Sequence, residues 1–139
     1  VFDLGKQERL KVTKDWFLYD APKFELYTSD LSIKEIHELL TEEKKTDILN
    51  LIRSSNMKIL KSNDKALDLS KIYIEKGAIP PGEPEDALHL AIAAVSKIPN
   101  FMSWDYKHIV SNNPIRKIQE LNWKEGYNYI KIGTVYDFF

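Results

Sequence analysis

Residues Pro84 to Trp104 read PEDALHLAIAAVSKIPNFMSW, and this stretch decides the fold. Pro84 suits the first position of a helix, where its missing N–H would have no intrahelical partner, and Pro99-Asn100 ends the run. Between Ala87 and Val95 the helix is apolar nearly all round. Such a helix is buried on more than one side and belongs at the centre of a domain. FMSW (Phe101 to Trp104) then reads as a short apolar strand that delivers Asp105 at its carboxyl end.

Working outward, strands and helices alternate. Gln7 to Asp20 is loosely helical and is ended by Ala21-Pro22. Lys23 to Thr28 (KFELYT) reads as a strand and Asn56 to Lys61 (NMKILK) as a second. Ser29 offers an N-cap for a helix over Asp30 to Leu40, with Ile33, Ile36, Leu39 and Leu40 as its apolar face. Further helices are expected over Glu42 to Arg53, over Lys65 to Lys76 (stopped by Gly77), and from Asn113-Pro114 to Leu121. Tyr129 to Gly133 (YIKIG) reads as a last strand. The pattern predicts a parallel α/β sheet with helices on both faces, in which ligands bind beyond the carboxyl ends of the strands.

Composition bounds the rest. With 139 residues, 43% hydrophobic and 29% charged, the chain has the size and apolar content of a single folded domain spanning residues 1–139. No apolar run approaches the roughly 20 residues that span a bilayer, and the first residues lack the cationic and apolar regions of a secretory signal. The absence of cysteine excludes a disulfide framework, a Cys-based zinc site and a thiol nucleophile. These features lead us to expect a cytoplasmic protein with no membrane partner. The net charge of −1 and pI of about 6.4 give no global basic footprint, so a phosphate-rich partner would need a local patch or a bound cation. No P-loop or G-x-G-x-x-G occurs, and Ser29 and Ser103 have no His/Asp partner pattern.

Three carboxylates occupy telling positions. Asp86 lies in the first turn of the buried helix, where the helix dipole favours an anion. Asp105 follows the FMSW strand, and a doubly wound topology would bring both to one rim. Glu35 follows the KFELYT strand. If Ser32 is the N-cap, Ser32-Ile33-Lys34-Glu35 is a capping box; if Ser29 is, Glu35 stands a turn further on and can face the rim, with Glu38 as its understudy. Glu85 points about 100° away from Asp86 and reads as a solvated charge. Oxygen ligands of this kind suit Mg²⁺ or Mn²⁺, which act on phosphates by neutralising charge and activating water. His89 could orient a carboxylate or be a half-buried structural histidine. Lys107 with His108, and Arg116 with Lys117, could grip phosphate or be solvated surface charges. Trp16, Trp104 and Trp123 read as packing residues in preference to base-stacking ones.

EDALHLAIAAVSKIPNFMSWDYKHI (Glu85 to Ile109) resembles the PIN-domain ribonucleases, the group that includes VapC-type toxins. The carriers of the likeness are the Asp-x-x-His-x-Ala helix start, the strand ending Ser-Trp-Asp and the following Lys-His. ELYTSDLSIKEI (Glu25 to Ile36) is similar to the family's second strand and acidic helix. The resemblance implies a three-layer α/β/α sandwich with a mainly parallel central sheet, and Mg²⁺- or Mn²⁺-dependent endonucleolytic hydrolysis of RNA. Glu35, Asp86 and Asp105 would be the catalytic and metal-binding residues; Lys107, His108, Arg116 and Lys117 are candidate RNA contacts. It further implies the toxin of a toxin–antitoxin pair, with an antitoxin protein and a second copy of the chain as possible partners. The family also carries an Asp at the end of a central first strand. That strand is missing here, so an apolar strand and an Asp are expected to precede Val1. The competing expectation is a catalytically degenerate PIN-like module that binds RNA or a protein.

Overall fold

A computed structural model of the chain describes residues 2–38, 41–103 and 112–138. Its elements are α1 (Phe2–Tyr19), β1 (Tyr27–Ser29), α2 (Asp30–His37), α3 (Glu42–Ser54), β2 (Lys58–Leu60), α4 (Asp64–Glu75), α5 (Pro84–Val95), β3 (Asn100–Met102), α6 (Asn112–Lys124) and β4 (Lys131–Gly133). The fold is α/β, and its strands pair in parallel, β1 with β2 and β3 with β4. Among the described residues they form two separate two-stranded sheets and not one continuous sheet. No described helix is long and apolar enough to cross a membrane.

Local chemistry explains the boundaries. Ser29 caps α2, its hydroxyl accepting from the Ser32 N–H, and Asn63 caps α4 by accepting from the Ala66 N–H at 2.9 Å. Gly77 follows α4 at φ +78°, a left-handed turn that glycine enters at no steric cost. Pro84 opens α5 as the sequence predicts. The first strand starts later than KFELYT suggests: Pro22 helps to form a 3₁₀ turn over Ala21–Lys23, so Lys23 is not extended and pairing begins at Tyr27.

Two apolar clusters hold the chain together. The larger contains Ala66, Leu69 and Tyr73 of α4, Ala87, Leu90, Ala91 and Ile92 of α5, and Ile118 of α6, with Phe101 and Ile132 packed against it. The smaller joins Trp16, Ala21, Val135 and Phe138, with Phe24, Leu26 and Met102 against it. Successive residues of a strand point to opposite faces. Phe101 and Met102 join different clusters, so the clusters lie on opposite faces of β3. Trp16 is a packing residue as expected, its Nε1–H donating to the Phe138 carbonyl at 2.7 Å. Trp123, also expected to pack, is 82% exposed because it sits on the outer face of α6. Trp104 lies outside the described residues.

The inner edges of β1 and β3 both face a cavity of about 650 Å³. One side is walled by Ile92 and Ala93 of α5, the other by Trp16, Phe24 and Phe138. The two sheets are therefore joined through α5 and the small cluster, with open space where their edges meet.

A buried polar pair lies in the main core. The Tyr73 hydroxyl donates to Asn122 Oδ1, and burial pushes the phenol pKa well above its ordinary value. Asn122 Nδ2 has no partner among the described residues. Tyr73→Phe would orphan the second end of the amide as well. It should lower the unfolding free energy by about 1–3 kcal/mol, read from urea denaturation; an unchanged midpoint would mean that the hydroxyl contributes nothing to the core.

Candidate functional site

The rim at the carboxyl end of β1 is assembled from α2 and α5. Ser29 ends β1 and caps α2, so the capping box on Ser32 is not formed and Glu35 is released from a capping role. Ser32 and Glu35, three residues apart, share a helical face. Both meet His89 of α5: its Nε2 lies 2.6 Å from Glu35 Oε1 and its Nδ1 3.4 Å from Ser32 Oγ. With Nε2 carrying the proton, the imidazole donates to the carboxylate and accepts from the Ser32 hydroxyl; this tautomer is assigned from the partners. The Ser62 N–H and hydroxyl both donate to the Asp30 carboxylate, tying the start of α2 to the segment after β2.

Glu85, read from sequence as a solvated charge, belongs to this group. Its carboxyl pKa is raised, first by a hydrogen bond with Glu35, then by the negative charge of Glu35 and, further down, of Glu38; His89 pulls in the opposite direction. The signal was available in the spacing. Glu85 and His89 are four residues apart and lie on one side of α5, facing α2. Asp86 is turned about a third of a circle away and instead lines the cavity between β1 and β3, near Ser29, Ser32 and His89.

The structure thus brings Glu35, Glu85 and His89 into direct contact, with Asp86 beside them. Asp105, Lys107 and His108 lie outside the described residues. Arg116 is exposed on α6, and Lys117 reaches the Gly77 carbonyl at 3.4 Å. Among the described residues no three His, Asp or Glu side chains close on one point as metal ligands. The donor chemistry of Glu35 and Asp86 nevertheless suits a hard cation. Two carboxyls in contact carry excess negative charge that either a shared proton or a cation relieves.

Protonated Glu85 can share its proton with Glu35. As pH rises through the raised pKa the proton leaves, two carboxylates face each other, and stability falls. Glu85→Gln keeps an N–H donor without the charge. Its melting temperature should exceed that of the parent chain at neutral pH, and the two should converge at about pH 3, below the ordinary carboxylate range. Parallel melting curves across that range would show that the two carboxyls do not interact. Compared with protein-family models, curated proteins and solved structures, the chain finds no match.

Proposed function

We propose that the chain is a divalent-metal-dependent endoribonuclease of the PIN type. The observation that carries this reading is the meeting of α2 and α5 carboxyls at the carboxyl end of a parallel strand, with Glu35 and Asp86 at the positions the resemblance assigns to metal ligands. In this reading Glu35 and Asp86, together with Asp105, hold Mg²⁺ or Mn²⁺. When bound, the cation supplies Lewis acidity and positive charge at an RNA phosphodiester.

The chain's own residues do the positioning. His89 fixes the rotamer of Glu35 through the 2.6 Å hydrogen bond, and Ser32 fixes the ring in turn. Glu85 brings a third carboxyl against Glu35, and its raised pKa records the repulsion that a bound cation would relieve. Lys107, His108, Arg116 and Lys117 would contact RNA phosphates. The apolar clusters on both faces of β3 support a three-layer α/β/α arrangement with the two strand pairs in its middle layer. A toxin role, an antitoxin covering the rim, a homodimer and a cytoplasmic location complete the proposal.

A second reading has one observation in its favour. The described residues hold no closed three-ligand group, which suits a degenerate PIN-like module that binds RNA or protein without cutting. Two measurements separate the readings. Mn²⁺ titration should raise the melting temperature of a competent site by several degrees, since a ligand at about 100 times its Kd adds about 2.7 kcal/mol. Cleavage of a labelled single-stranded RNA should need the cation and fall at least about a hundredfold in Asp86→Asn; His89→Ala, which removes only the positioning contact, should cost about ten- to a hundredfold. No thermal shift together with no cleavage would favour the degenerate module.

A further inference from the structure

We infer that Ser32 is a nucleophile that takes the acyl group of small carboxylic esters, with His89 as its general base and Glu35 as the group that orients the base. The inference uses no cation and stands whether or not the rim is a nuclease.

A serine hydroxyl is a weak nucleophile until a base removes its proton, and the base needs a third group to hold its tautomer. Spacing along the chain does not announce these three residues, because Ser32 lies 57 and Glu35 54 residues from His89. The fold assembles them. Glu35 accepts from His89 Nε2 at 2.6 Å, which leaves Nδ1 as an acceptor, and Nδ1 faces Ser32 Oγ at 3.4 Å. That spacing is loose, as it often is in nucleophile–base pairs before substrate draws them together. The two ring nitrogens exchange the parts they take in serine proteases, but such triads are defined by geometry and role.

The Ser32 hydroxyl is also placed unlike its helical neighbours. A helical serine commonly donates to a carbonyl one turn back, as Ser54 does to Leu51 and Ser70 to Leu67. Ser32 meets a side chain of another helix instead. Ser29 adds a donor. Its oxygen accepts from the Ser32 N–H at 3.1 Å, so its hydrogen is turned toward Ser32 Oγ, 3.2 Å away. When Oγ joins an acyl carbon, the oxyanion forms next to Oγ, on the side of this donor and of the positive end of α2.

The reaction needs only the ester and water. Ser32 Oγ bonds to the carbonyl carbon while its proton passes to His89 Nδ1; the ester C–O bond breaks, and the leaving alkoxide takes that proton. Water then attacks the acyl-serine, giving a proton to Nδ1, and Ser32 departs with it as the carboxylic acid is released. In both halves the transient imidazolium faces the Glu35 carboxylate. The surroundings choose the substrate. Glu35, Glu38, Glu85 and Asp86 border the three residues, so an ester with an anionic acyl group is repelled and a neutral or cationic one is admitted.

The test uses the full chain in EDTA, which separates it from the cation-dependent cleavage of RNA. A fluorophosphonate should add once per chain, and peptide mass spectrometry should place it on Ser32. 4-Nitrophenyl acetate should be hydrolysed, and mono-4-nitrophenyl succinate, which carries an anionic acyl group, at least about tenfold more slowly in kcat/KM. Ser32→Ala should lower the rate at least about a hundredfold and Glu35→Gln about tenfold, while Ser32→Cys should trap an acyl-enzyme visible by intact mass. Should Ser32→Ala fail to fold, labelling of the parent chain decides alone. Ester hydrolysis in EDTA without RNA cleavage in Mn²⁺ would uphold the inference and remove the nuclease reading. No label, a label on another residue, or equal rates for the parent and a folded Ser32→Ala chain would overturn it.

Discussion

A helix that is apolar on nearly every side must be covered on nearly every side, and α5 organises the molecule by that requirement. Ala87, Leu90, Ala91 and Ile92 are almost fully buried. The small side chains let α4 and α6 share one cluster with it, while Ile92 and Ala93 also line the space between the strand edges. The two sheets share no strand among the described residues, so α5 is what relates them. Its first turns touch α2 through His89, and its end leads into β3. The position of the rim is thus a consequence of core packing.

Placing the rim there has an electrostatic cost. Glu35, Glu38 and Glu85 lie close enough for one carboxyl to be pushed above its ordinary range, and His89 offsets only part of the repulsion. Structural surfaces ordinarily disperse like charges; clusters of carboxyls are arrangements in which a proton or a metal ion completes the balance. The hydrogen-bonded line from Ser29 through Ser32 and His89 to Glu35 holds that cluster in one geometry without a cation.

Much of the fold was legible in the chain because it depends on local chemistry. Pro84 starting α5, Gly77 ending α4, and the all-apolar run from Ala87 onward are read correctly from residue types, since capping, backbone restriction and hydrophobic periodicity act over a few residues. The candidate site was legible in part. Asp86 and Glu35 stand where their elements suggested, but the choice between Ser29 and Ser32 as the cap of α2 had no local answer. Both spacings are good caps; only the contact with His89, 54 residues away from Glu35, shows the face that Glu35 presents.

What the sequence leaves out has the same origin. Glu85 is a solvated charge, as its position suggests, but its contact with Glu35 lies on another helix; and hydrophobicity alone does not say which side of α6 turns Trp123 outward. The sequence by itself determined the order and type of the elements, the burial of α5 and the acidic character of the rim. Tertiary structure alone decided that Glu85 touches Glu35, and that among the described residues the strands stand as two pairs on either side of a cavity. Periodicity along a chain records which face of an element is apolar, whereas the distance between two faces is set by everything packed between them.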